Sequence, residues 1–254
     1  MTERDPVRDF YRDHPEMVSS PFGGVDYYLY EPLQKVWDEL GFLSKPGHVL
    51  EIGCGRAWLR DFLNGKGSKY IGIDLVHSRK AGETLGPDLL GSSESLPFSA
   101  ESFDSLICID AYEHFPHPNY AAREFHRVLK PGGEVFISTP NYGNVAGLVK
   151  KWMESFGGYE KETWAPFGKW TPQAHEKPVS IRRVKKTFSD AGFTQGKVLG
   201  MAEEVYLGLF PWAAHPKCPE AILFRLQRGF PGLKRVLAKK IPGASLHQFW
   251  RWVR

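Results

Sequence analysis

The feature that most constrains this chain lies between residues 48 and 139. Short runs rich in β-branched and aromatic residues alternate there with helical segments, and no hairpin turn joins any two of them. Residues 49–52, 70–73, 89–90, 103–109 and 134–139 read as strands. Residues 57–63 and 119–129 read as helices, the second carrying Ala121, Ala122, Phe125, Val128 and Leu129 on one face and ending at Pro131-Gly132-Gly133. Strands separated by helices pair in parallel, and a parallel sheet needs both faces covered.

The flanks extend this pattern. Leu29, Leu33, Val36, Trp37 and Leu40 recur at helical spacing until Gly41. Ile181, Val184, Phe188 and Ala191 give a further helix, with Ser180 as N-cap and Gly192 as stop. Residues 198–200 predict a sixth strand and 247–253 a last one. Residues 140–180 and about 203–245 are too long for plain connections, and such insertions commonly form lids or binding elements. The chain has 254 residues, 42% of them apolar, so disorder is excluded and one large domain or two small ones fit. Three cysteines make no disulfide framework and match no zinc spacing. The N-terminus is charged from residue 3, which argues against secretion, and the most apolar run, 205–214, is half a membrane span. A cytoplasmic protein is expected.

Ligands of open α/β sheets bind beyond the carboxyl ends of the strands. At the first such end stands Glu51-Ile52-Gly53-Cys54-Gly55, whose glycines allow a tight turn and close approach of a ligand to the backbone. The following helix would aim its positive N-terminus at that ligand. Asp74, 19 residues beyond Gly55, ends the second strand where an acid can accept ribose hydroxyls. A Gly-x-Gly alone is equally an ordinary turn. A dinucleotide loop needs a third glycine where Trp58 stands, and no phosphate-cradling G-x-x-x-x-G-K-[ST] occurs, so NAD and ATP fit poorly.

The segments HVLEIGCGRAWL, YIGIDL, SLPFSAESFDSLICIDAYEHFPHP and FHRVLKPGGEVFISTPN, in this order from about 48 to 141, resemble the motifs of class I S-adenosylmethionine-dependent methyltransferases. IRRVKKTFSDAGF resembles a later helix of that family, and the nearest flavour is the small-molecule group that includes ubiquinone and menaquinone methyltransferases. The resemblance implies a Rossmann-like, doubly wound, mostly parallel seven-stranded sheet with an antiparallel last strand and two helical insertions. It implies S-adenosyl-L-methionine as cofactor, with Glu51, Gly53, Cys54 and Gly55 at its methionine part, Asp74 on the ribose and Leu75 beside the adenine. Ile109 and Asp110 would face the methionine end and His114 the reaction chamber. Three departures stand out. Ala57 replaces a common third glycine, a mild change by size. Ser92, followed by Ser93 and Glu94, replaces the acid that often meets the adenine amine. The segment between the second and third strands is short.

The expected organisation is one methyltransferase domain over 1–254. It comprises an N-terminal helical lid (1–45), a cofactor-binding core (46–140), a substrate-side insertion (141–180) and the rest of the sheet (181–254) with a basic insertion (203–245). Candidate bases are His114, His117 and His175, since an imidazole titrates near pH ~6.5; the competing reading is a structural histidine bonded to the backbone for His114 and a surface loop residue for His175. His114 and His117 beside Glu113 have no further ligand cluster to make a metal site. Trp152, Phe156, Tyr159, Trp164, Phe167, Trp170, Tyr206, Phe210 and Trp212, joined by Tyr11, Tyr27 and Tyr28, would either pack the insertions together or roof an apolar, aromatic or lipid-linked acceptor. Residues 217–254 carry a net +8 against −4 for the rest. Residues 222–241 mix apolar and basic side chains, split by Pro231-Gly232. They read as a solvated face or as a contact for an anionic membrane or an anionic substrate carrier. Nucleic acid is not an expected partner, because Asp110-Ala111-Tyr112-Glu113 lacks the Asp/Asn-Pro-Pro-aromatic motif of base methylation. Another S-adenosylmethionine-fold transferase, or a non-catalytic cofactor-binding protein, is the alternative.

Overall fold

A computed structural model describes residues 6–14, 31–77, 86–145, 147–148, 152, 179–205 and 229–254. The elements are α1 (Pro6–Asp13), α2 (Glu31–Leu40), β1 (His48–Ile52), α3 (Leu59–Gly65), β2 (Lys69–Asp74), β3 (Leu89–Leu90), β4 (Phe103–Ile109), α4 (Pro118–Val128), β5 (Leu129–Pro140), α5 (Ile181–Asp190), β6 (Thr194–Gly200), α6 (Pro231–Lys240) and β7 (His247–Val253). They form one sheet in the order β3-β2-β1-β4-β5-β7-β6. Strands β1 to β5 pair in parallel, and β7 inserts antiparallel between β5 and β6.

Alternate residues of each strand feed opposite faces, which explains two cores on one sheet. Leu50, Leu106, Cys108, Val135, Ile137, Trp250 and Trp252 meet Ala121, Phe125, Val128, Val184 and Phe188 of α4 and α5. On the other face Val49, Ile107, Phe136 and Phe249 meet Leu33, Val36, Trp37 and Leu40 of α2 and Leu59 and Leu63 of α3. The amphipathic faces of four helices are thereby absorbed. The Ser180 hydroxyl caps α5 by accepting the Arg183 N–H, as its position predicts.

Several boundaries differ from the sequence reading, among them the sixth strand, which starts at Thr194 rather than 198. The fifth strand starts at Leu129, not at 134. Pro131-Gly132-Gly133 does not break it but forms an irregularity, after which pairing resumes at Ser105 and Glu134; Gly132 takes the positive φ of 77° that this needs. Helix α3 starts at Leu59, because Ala57 has φ 55° and cannot belong to a right-handed turn.

The chain runs from β1 outward to β3, then returns to β4 and continues outward the other way. The switch point therefore lies between the carboxyl ends of β1 and β4, where ligands of such sheets bind. Beside it, the roots of both insertions are laced together. The Asn141 amide donates to the Gly243 and Ser245 carbonyls, the Asn144 amide to the Ser245 carbonyl, and the Ser245 hydroxyl to the Met201 carbonyl.

Candidate active site

At the end of β1 the chain turns sharply over β2, with the Gly53 and Cys54 N–H groups both donating to the Ile73 carbonyl (2.9 and 3.2 Å). Gly53, Gly55 and Ala57 all occupy the left-handed region, at φ 67°, 52° and 55°. A Cβ on Gly53 would also stand 2.5 Å from the Ala111 Cβ, so this position needs glycine for two reasons. Ala57 is buried and carries the left-handed cost that glycine avoids, so replacing the third glycine is not the mild change that side-chain size suggests.

The cleft above this loop is lined by every cofactor residue the sequence nominated: Glu51, Gly53, Cys54, Gly55, Asp74, Leu75, Ser92, Ser93, Glu94, Ile109 and Asp110. His114 lines it as well, together with Val7, Tyr11, Ile52, Trp58, Leu59, Ile73, Gly91, Ala111, Phe115 and Pro116. Four acidic side chains, Glu51, Asp74, Glu94 and Asp110, line the cleft, and no Lys or Arg does so among the described residues. Acidic groups with no cation among them suit a cationic ligand better than the phosphates of NAD or ATP.

Asp74 knits the loop. Its Oδ2 accepts the Gly55 N–H (2.8 Å), and its Oδ1 accepts those of Leu75 (2.7 Å) and Val76 (3.4 Å). Burial raises the pKa of its carboxyl, and these backbone bonds oppose the rise. Glu51 sits beneath the loop and accepts the Tyr70 hydroxyl proton on Oε2. Burial pushes its carboxyl up to about 8, with only partial relief from that bond. Gly72 makes this cluster feasible, since a Cβ there would stand 2.7 Å from the Tyr70 hydroxyl and 2.8 Å from the Cys54 Sγ.

On the adenine side expected from the sequence, the Ser92 Oγ accepts the Glu94 N–H (3.2 Å). Both Glu94 oxygens engage His117, one its backbone N–H (2.6 Å) and one its Nδ1 (3.0 Å). This anchors His117 at the start of α4 with its ring exposed and away from the cleft wall. His114 is the histidine that reaches the cleft. It is buried on the one-turn helix Tyr112–His114, its Nε2 lies 3.8 Å from Glu113 Oε1, and the Tyr11 ring packs edge-on against it at 5.7 Å. The Thr139 hydroxyl donates to Glu113 Oε2 (2.9 Å). Among the described residues, no group of three or more His, Cys, Asp or Glu is arranged to hold a metal ion. His175 lies outside the described residues, as do Phe156, Tyr159, Trp164, Phe167, Trp170, Tyr206, Phe210, Trp212, Tyr27 and Tyr28. Trp152 is described and is exposed, away from the cleft.

Sequence reasoning missed the buried cluster behind the wall: Ser138, Glu204 and His247. Ser138 donates to Asp110 Oδ1 (2.6 Å), and Glu204 accepts both the Nδ1 and the backbone N–H of His247 (2.8 Å each). A polar residue at the carboxyl end of a core strand was the available signal, and Ser138 carries it.

A glycine-turned loop at the switch point, an acid at the end of β2 and a β7 inserted antiparallel together define the class I S-adenosylmethionine-dependent methyltransferase fold. The methyltransferase-domain family matches residues 25–195, and the chain belongs to it, with S-adenosylmethionine as its cofactor. Among curated proteins it is similar to the ubiquinone biosynthesis O-methyltransferase of Idiomarina loihiensis, 27% identical over 61% of this chain and 69% of that protein. It is also similar to the protein of that name from Paracidovorax citrulli, 37% identical over 46% of this chain and 54% of that one. Several further relatives of the same name are likewise matched over about half their length, 51%. A solved S-adenosylmethionine-dependent methyltransferase from Thermotoga maritima shares the fold over 97% of both chains, with TM-score 0.56 and 18% identity. Among the described residues no helix is long and apolar enough to cross a membrane.

Proposed function

We propose that the chain transfers a methyl group from S-adenosylmethionine to a small apolar, aromatic or lipid-linked acceptor that enters beside His114. The observation that carries this reading is that one cleft holds the nominated cofactor residues and His114 together, with Val7, Tyr11, Phe115 and Pro116 also in its lining and the Tyr11 ring packed against the imidazole. Apolar lining beside one imidazole suits a ring hydroxyl, and the O-methyltransferase name of the relatives points the same way.

In this reading Asp74 takes the ribose hydroxyls, Leu75 flanks the adenine, and Ser92, Ser93 and Glu94 form the wall beyond. Glu51, Gly53, Cys54, Gly55, Ile109 and Asp110 surround the methionine part. When bound, the cofactor supplies an electrophilic methyl on its sulfonium. His114 accepts the proton that the attacking hydroxyl sheds, with Glu113 Oε1 3.8 Å from its Nε2. The proposed N-terminal lid, 1–45, brings Val7 and Tyr11 of α1 to the cleft, and the two insertions proposed for the acceptor side, 141–180 and 203–245, lie largely outside the described residues. His175 is the second candidate base. Exchange of His114 for Gln should lower kcat on a phenolic acceptor about 100-fold or more, while affinity for S-adenosylhomocysteine stays unchanged. An unaltered kcat would remove His114 from the chemistry.

The partner surface in this reading is an anionic membrane. Phe230, Leu233, Val236 and Ile241 are 73%, 53%, 50% and 55% exposed on and beside α6, with Arg235 and Lys240 among them. An apolar stripe interleaved with cations suits anionic lipid headgroups. Flotation with anionic vesicles should recover the protein and flotation with neutral vesicles should not; equal recovery would end this assignment.

A further inference from the structure

Behind the wall that carries Asp110 lies a buried charged cluster in which no cofactor contact is expected. His247, the first residue of β7, is 2% exposed. Its Nδ1 stands 2.8 Å from Glu204 Oε1, and its Nε2 faces Asp110 Oδ1 at 4.0 Å. The imidazole thus lies between two carboxylates, an arrangement that holds it doubly protonated. Burial works against that charge, yet Glu204 and Asp110 outweigh it and lift the imidazole to about 9.

Asp110 is held in an unusual way. Its backbone is left-handed, at φ 45°, and its N–H donates to the Ser138 carbonyl (3.1 Å). The Ser138 hydroxyl and the His247 ring both converge on the same carboxylate oxygen, Oδ1. Oδ1 is therefore held by a hydrogen bond and an ion pair from within the protein, while Asp110 itself lines the cleft. Glu204 closes the short helix Ala202–Glu204 that opens the second insertion.

We propose that His247 is a positioning residue that fixes the Asp110 carboxylate toward the cofactor's methionine end and, through Glu204, couples it to the root of the second insertion. The inference rests on the proposed placement of Asp110 at that end. A purely structural ion cluster would serve as well anywhere in the interior. This one is built onto a left-handed residue of the binding wall, from a strand 137 positions away in the chain.

The test is a double-mutant cycle on S-adenosylhomocysteine affinity, read by calorimetry at pH 7 with His247→Gln, Asp110→Asn and the double variant of the whole 254-residue chain. Each single exchange should weaken binding about tenfold, and the double variant should be no weaker than Asp110→Asn alone. A merely structural histidine would lower the unfolding temperature and leave the two affinity losses multiplicative, which would overturn the proposal. Wild-type affinity in folded His247→Gln beside a weakened Asp110→Asn would overturn it too, leaving the site reading intact. Wild-type affinity in Asp110→Asn would sink the placement of Asp110 and this inference with it. Should His247→Gln fail to fold, Glu204→Gln enters the same cycle and is judged by the same coupling.

Discussion

Glu51 offers a sharp test, because burial has set its contribution to stability against the binding role proposed for it. In an unfolded chain a glutamate titrates near pH ~4.3, whereas burial beneath the glycine loop lifts it to about 8. A carboxyl raised in this way stabilises the fold fully below its unfolded pKa, and that contribution drains away as pH rises through the folded one. At about 1.4 kcal/mol per pH unit, the loss is roughly 3–4 kcal/mol by pH 7 and about 5 by pH 8, after which it is constant. Glu51→Gln cannot ionise, keeps an oxygen for the Tyr70 hydroxyl and adds an amide whose desolvation costs about 1 kcal/mol. The variant should therefore be slightly less stable than wild type at pH 4.5, more stable by about 1–3 kcal/mol at pH 7, and show no further gain above pH 8. Urea unfolding at pH 4.5, 6, 7 and 8.5 measures this directly. A stability difference that does not change with pH would show that Glu51 ionises as an ordinary surface carboxylate does, and the reasoning would fail. The same exchange should weaken S-adenosylmethionine about tenfold, since the cationic ligand favours the ionised acid that Gln cannot provide.

Two further outcomes follow from the loop. Ala57→Gly relieves a left-handed alanine and should raise stability by about 0.5–1 kcal/mol after the added entropy of the unfolded glycine; a lower midpoint in urea would contradict the strain. Asp74→Asn keeps the shape while removing the charge that the loop amides contact and that the proposed ribose contact would use. It should weaken S-adenosylhomocysteine about tenfold, and an unchanged affinity by calorimetry would refute the ribose assignment.

What was legible in the sequence was local. Glycines at 53 and 55 and an acid at 74 are fixed by strand ends and spacing, and the sheet brought all of the nominated cofactor residues to one cleft. The onset of β5 was not legible, because Pro131-Gly132-Gly133 has the composition of a turn and only the partner strand makes it a bulge. Nor was the cost at Ala57, since side-chain size says nothing of the sign of φ. The partnerships of Glu51 with Tyr70, and of His247 with Glu204 and Asp110, depend on which faces of separate strands meet. His117 was also a candidate base, but at the start of α4 it engages Glu94, while His114, three residues earlier, lines the cleft.

The lacing of the two insertion roots bears on how this fold can be re-engineered. Asn141 and Asn144 enter the first insertion, and the carbonyls they satisfy at Gly243 and Ser245 leave the second. Transplanting one insertion from a relative would strand buried amides or carbonyls of the other, each worth about 1–3 kcal/mol. The two segments are thus a single exchangeable cassette, and a chimera that moves them as a pair, together with residues 141–144 and 243–246, keeps its seam satisfied.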